Sequence, residues 1–173
     1  MLEWLPMKEI VQNGDPVLRK KAAEVPLSEI GSAKIKKVLK DMQAALLTQD
    51  DGVALAAPQI GVSLRIFIVS KAALFPLRKG VPESARARVV DSTSEKQPPK
   101  AAYLDKGDKK AAGYLVFINP VITKLSRDKT FVDEGCLSVR PLYGKMKRAK
   151  KATVEAYDER GVKFTRGASG LLA

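Results

Sequence analysis

From Ser32 to Leu47 the chain repeats its apolar residues at helical spacing. Ile35, Val38, Leu39, Met42 and Leu46 share one face, and Lys34, Lys36, Lys37, Lys40 and Asp41 take the other. This pattern predicts an amphipathic helix that must lie on an apolar surface. The rest of the chain reads mainly as strands. Leu64 to Ser70 is an apolar run of buried-strand type, and Tyr114 to Asn119 is another, with Pro120 to Leu125 a further strand. Ala152 to Asp158 alternates towards a turn at Glu159-Arg160-Gly161, and a last strand is expected near Lys163 to Arg166. One helix among strands separated by turns predicts an α+β fold with mainly antiparallel sheets. Upstream, Ile10 to Gln12 reads as a short extended piece ending at the Asn13-Gly14-Asp15-Pro16 turn, and Val17 to Ala23 as one or two helical turns.

Length of 173 residues predicts one domain over 1–173. From about 71 to 113 the pattern dissolves into Ala, Lys, Pro and Ser, with too few large apolar residues for a core, so this stretch is expected to be a surface insertion.

No histidine occurs and cysteine occurs once, at Cys136. The first fact removes imidazole-dependent triads and His-Glu-x-x-His zinc sites from these residues. The second removes an internal disulfide framework and fits a reducing compartment. No window approaches the roughly 18 apolar residues of a membrane span, and Met1 to Val11 lacks the pattern of a secretory signal. A cytoplasmic protein without membrane attachment is expected.

Two stretches differ from structural filler: Gly52-Val53-Ala54-Leu55-Ala56-Ala57-Pro58-Gln59-Ile60-Gly61 and Glu134-Gly135-Cys136-Leu137-Ser138-Val139. In the first, small residues allow another backbone or a ligand to approach, and Gln59 offers an amide that donates and accepts. In the second, a thiolate at Cys136 would be a soft metal ligand or a nucleophile. Composition alone leaves blander readings open: an Ala-rich segment is usually tight packing, and a lone cysteine is usually a small buried hydrophobe.

In this order the two segments resemble signature motifs of the peptide deformylases, Gly-x-Gly-Leu-Ala-Ala-x-Gln-Ile-Gly and Glu-Gly-Cys-Leu-Ser. The first departs only at Ala54, where glycine is usual, and the second matches throughout. Asp15-Pro16-Val17-Leu18-Arg19 and Gly170-Leu171-Leu172-Ala173 also look like the family's flanking sequence. The family's third motif, His-Glu-x-x-His, does not occur in these residues. In the family it follows a Gly-Leu-Leu-Ala-like segment within about two helical turns. The expectation is therefore a deformylase-like fold, mainly antiparallel sheets around a helix, truncated before its central C-terminal helix.

The resemblance implies hydrolysis of the formyl group from the N-terminal formylmethionine of nascent polypeptides, releasing formate; a monomer is expected. It implies a metal held by the motif cysteine and two histidines, which makes Cys136 a ligand of an incomplete site. The implied ion is Fe²⁺, which zinc or nickel can replace, and the thiolate-bound ferrous site would be oxidation-prone. By the same resemblance Gln59, through its amide, and Leu137, through its backbone N–H, stabilise the oxyanion, while Val53, Ala54 and Gly135 contact the substrate. Without the histidines and the catalytic Glu, these residues alone are expected to be inactive. Glu134 is expected to fix local structure.

The charge of +12 supports a second reading. Arg140 to Lys151 holds six basic residues in twelve and no acid, so a non-catalytic relative that contacts RNA or the ribosome through this basic surface is the alternative; no DNA partner is expected. A solvated loop is the plainer explanation of the same run.

Overall fold

The computed structural model describes residues 8–49, 51–71 and 113–169. The insertion expected at about 71–113 lies outside the described residues except for its two ends. Those ends meet: the Lys71 N–H donates to the Gly113 carbonyl at 3.0 Å, so the segment joins two adjacent antiparallel strands. The Gly170 to Ala173 segment also lies outside them.

Helix α1 spans Ala33–Leu47. Ser32 caps it by accepting from the Ile35 N–H at 3.3 Å, which satisfies one of the free donors of the first turn. Lys37 and Asp41 pair one turn apart on the outer face at 2.9 Å. Its inner face buries Ile35, Leu39, Met42, Ala45 and Leu46.

That face packs on a five-stranded antiparallel sheet in the order β1 (Ala54–Ala56), β2 (Ile66–Ser70), β3 (Tyr114–Leu125), β6 (Lys151–Tyr157) and β7 (Lys163–Ser169). Strand alternation divides the apolar residues between the two faces. Ile66, Ile68, Val116 and Ile118 join the helix core together with Leu55 and Ile60. Val69, Phe117 and Ala156 form a second cluster with Phe67 and Phe164, in which the Phe67 and Phe117 rings stack at 4.4 Å. Asp158 closes the β6–β7 turn by accepting from the Arg160 and Val162 N–H groups at 2.9 and 2.8 Å.

Several sequence expectations need correction. Tyr114 to Asn119 and Pro120 to Leu125 are one strand, β3, with register shifts between Ile118 and Val121 and between Ile122 and Lys124. Asn119, at φ 51°, replaces a strand pairing with its side chain: Oδ1 accepts from the Val25 N–H and Nδ2 donates to the Val25 carbonyl, each at 2.8 Å. Asn-Pro is thus a bulge here, not a break. Of the one or two helical turns expected at Val17 to Ala23, one 3₁₀ turn forms at Pro16–Leu18, and the Ile10 to Gln12 piece pairs with no strand among the described residues. The basic run Arg140 to Lys151 is not a loop. Its middle is strand β5 (Tyr143–Ala149), which pairs with β4 (Lys129–Gly135) in a separate two-stranded ribbon.

Candidate active site

The two motifs meet in one place. Motif one runs from edge strand β1 into a 3₁₀ turn at Ala57–Ile60, closed by Gly61 at φ 78°, a conformation glycine adopts without strain. This turn presents Gln59. Motif two follows the end of β4 and presents Cys136, which is exposed.

Gln59 Nε2 lies 3.9 Å from Cys136 Sγ and donates to Ser138 Oγ at 3.2 Å. Its Oε1 accepts from the Ala56 N–H at 2.9 Å. Because that N–H can only donate, the amide is oriented with its NH₂ towards the thiol. The Leu137 N–H has no hydrogen-bond acceptor among the described residues and remains available as a donor, while its carbonyl is held at 3.1 Å by Gln12 Nε2. Val53 and Ala54 stand at the edge of the sheet that the described residues form, Ala54 exposed and paired on one side with Val69.

The short N-terminal stretch joins the motifs. The Val11 N–H donates to the Gln59 carbonyl at 2.9 Å and the Asn13 N–H to that of Ser138 at 2.7 Å. With the Gln12 bond, three consecutive residues clamp both signature segments. Sequence reasoning gives Ser138 no role of its own beyond its place in the second motif, and gives Gln12 none. The signal for Ser138 was its polarity; at 2 % exposure, it needs the bond that it makes. Gln12 had no signal, since its role exists only after folding.

Glu134 is tied to Arg148 by a two-pronged bond at 2.6 and 2.7 Å, across the β4–β5 ribbon. This bond holds the Glu134 carboxyl below its ordinary pKa against an opposing desolvation, with the charge of Arg148 adding to it. That agrees with the expected structural role. Gly135 lies under the ring of Tyr143: an added Cβ would come within 2.5 Å of the ring. Tyr143 in turn reaches Asp51 through its hydroxyl at 3.4 Å, and Arg140 pairs with the same carboxylate.

As a metal centre the site is partial. Cys136 is a suitable soft ligand, yet among the described residues no three Cys, Asp or Glu side chains converge, and the sequence offers no imidazole. The described residues supply one ligand, and one ligand does not make a metal site. No helix among the described residues is long and apolar enough to cross a membrane.

A family model described as polypeptide deformylase matches residues 7–75 and 80–173. Peptide deformylase 1A, chloroplastic/mitochondrial, of Arabidopsis thaliana is 36% identical over 169 residues, which are 96% of this chain and 54% of the relative. Peptide deformylase 2 of Clostridium acetobutylicum is 31% identical over 169 residues, 98% of this chain and 84% of the relative. The chain thus spans about half the length of the plant relatives it matches. Among solved structures, a peptide deformylase from Legionella pneumophila superposes with a TM-score of 0.68 at 30% identity, covering 97% of this chain and 75% of that one. A peptide deformylase from Thermotoga maritima gives 0.68 at 26% identity, covering 98% and 86%.

Proposed function

Because this chain belongs to the polypeptide deformylase family, we propose that it provides the thiolate and the oxyanion donors of a hydrolase that removes the formyl group from N-terminal formylmethionine of nascent polypeptides and releases formate. The observation that carries this reading is the oriented Gln59 amide, 3.9 Å from Cys136 Sγ. Members of the family are metalloenzymes, and when bound the metal supplies hydroxide near neutral pH and polarises the formyl oxygen. The ion we propose is Fe²⁺, with zinc or nickel able to replace it, and Cys136 is its one ligand in these residues.

Each protein group then has a definable task. The Gln59 Nε2 and the Leu137 N–H donate to the formyl oxygen as it gains charge; preorganised donors of this kind lower the barrier by a few kcal/mol each. Val53 and Ala54 offer edge-strand backbone to an extended peptide, and Gly135, with Tyr143 above it, borders the same space. The Ala54 methyl stands where the family usually has none. We assign the protein to the cytoplasm as a monomer acting on formylmethionyl peptides.

The test is formate release from a formylmethionyl tripeptide. Residues 1–173, incubated with Fe²⁺ without oxygen, should release none. A version extended by a His-Glu-x-x-His helix should be active, and Gln59→Ala in it should lower kcat by about 10²–10³ with little change in KM. A folded, metal-loaded extended protein with no activity would refute the proposal, and so would near-family rates from residues 1–173 alone.

A further inference from the structure

The basic run from Arg140 to Lys151 carries only one aromatic residue of its own, Tyr143, and that ring is engaged above Gly135. Folding supplies another. Strand β4 places Phe131 directly opposite Lys147 of β5, with the Lys147 Nζ 6.0 Å from the ring centroid. By the strand period, Lys129, Asp133 and Lys145 project from the same face of the ribbon. The opposite face holds Val132 and Glu134, both partly buried, with the exposed Met146 and the Arg148 that forks onto Glu134. Phe131 is therefore an outward-facing aromatic, 67 % exposed, among three ammonium groups and one carboxylate.

The Lys147 ammonium over the ring steadies the ribbon as a cross-strand pair, yet Phe131 belongs to neither core cluster and keeps most of its ring in water. We propose that this face binds single-stranded RNA, with Phe131 stacking on an unpaired base and Lys129, Lys145 and Lys147 meeting neighbouring phosphates. A ring projecting beside ammonium groups matches a strand whose bases are splayed out, since every base has a face to stack on, and a duplex hides those faces. An acidic peptide would use the lysines but leave the ring without a partner. The proposal does not depend on the deformylase reading.

The ring and the lysines have different signatures. Binding of a labelled twelve-nucleotide oligouridylate to residues 1–173 is followed by fluorescence anisotropy across a salt series. Phe131→Ala should weaken binding at least about fivefold at every salt concentration without altering the slope of log affinity against log salt. Phe131→Tyr should restore it. Lys145→Ala with Lys147→Ala should reduce that slope by about 1.4, roughly 0.7 for each phosphate that is no longer neutralised. Circular dichroism of each variant should match the parent, as these side chains are exposed. The proposal fails if Phe131→Ala binds like the parent, if the double variant keeps the parent slope, or if polyglutamate or a duplex of equal length binds as tightly as the single strand.

Discussion

Gln59 and Ser138, separated by 79 positions in the sequence, share a hydrogen bond of 3.2 Å, and it is this bond that joins the end of one signature motif to the end of the other. Ser138 is buried, and its hydroxyl is the only oxygen among the described residues that accepts from the Gln59 NH₂. Ser138→Ala should therefore destabilise the fold by about 1–3 kcal/mol in urea denaturation, the usual cost of a part-buried donor left without its partner. In a helix-extended, metal-loaded protein it should also lower kcat more than it raises KM, because the amide NH₂ loses its one oxygen partner among the described residues. An unchanged denaturation midpoint would mean that water replaces the hydroxyl without cost.

Gly135 should not tolerate a methyl group while Tyr143 keeps its place. An added Cβ would sit 2.5 Å from Cε1 and 2.8 Å from Cδ1 of the ring, so the ring must swing away and release its hydroxyl from Asp51. We expect Gly135→Ala to cost about 1–3 kcal/mol, as overpacking does. Most of that cost should vanish in a Tyr143→Ala background. Equal costs in both backgrounds, by a double-mutant cycle of unfolding free energies, would show that the glycine is needed for another reason.

The helix was legible because its whole signal is local: apolar spacing from Ile35 to Leu46 needs no knowledge of the partner surface. The closeness of Gln59 and Cys136 was legible only through the motif resemblance, as nothing local joins residues so far apart. The β4–β5 ribbon was not legible for a physical reason. Tyr143 to Ala149 is exposed along nearly its whole length, so it lacks the apolar alternation that marks a strand with one buried face. It is held by backbone pairing and by the Glu134–Arg148 fork, both non-local. Asn119-Pro120 misled in the opposite sense. The pair looks like a strand end, and only the Val25 backbone, nearly a hundred positions upstream, turns it into a bulge.

The Glu134–Arg148 pair makes a pH prediction. The folded-state pKa of Glu134 is depressed, chiefly by its hydrogen bond to Arg148, so the carboxylate stabilises the fold at pH above its unfolded pKa. That contribution is lost as pH falls through the folded pKa. Replacement by Glu134→Gln removes the titration while keeping the size of the side chain. Melting temperature should differ between parent and variant at neutral pH, and the difference should shrink as the solution is acidified through the carboxylate range. A difference independent of pH would show that the pair acts through packing instead of charge; because the pair is largely exposed, the effect should also fade in high salt.

Beyond its bulge, β3 exposes Val121, Ile122 and Leu125, at 52, 64 and 56 %, and the ribbon region adds Leu142 and Met146 at 67 and 46 %. The family resemblance implies a His-Glu-x-x-His helix in the middle of the fold, and such a helix would be expected to cover apolar side chains of this kind. Each large side chain moved from water into such a setting is worth up to about 1.5–3 kcal/mol, against a net domain stability of about 5–15 kcal/mol. Three or four partial burials thus weigh heavily. We expect residues 1–173 to bind a hydrophobic dye and to melt at lower temperature and less cooperatively than a version extended by that helix, by several degrees for each kcal/mol gained. The comparison needs only circular dichroism melts and dye fluorescence on the two proteins, without metal, so that ligand binding does not contribute to the difference. Should both melt cooperatively at one temperature, the exposed residues gain nothing from the helix, and the fold of residues 1–173 is self-sufficient.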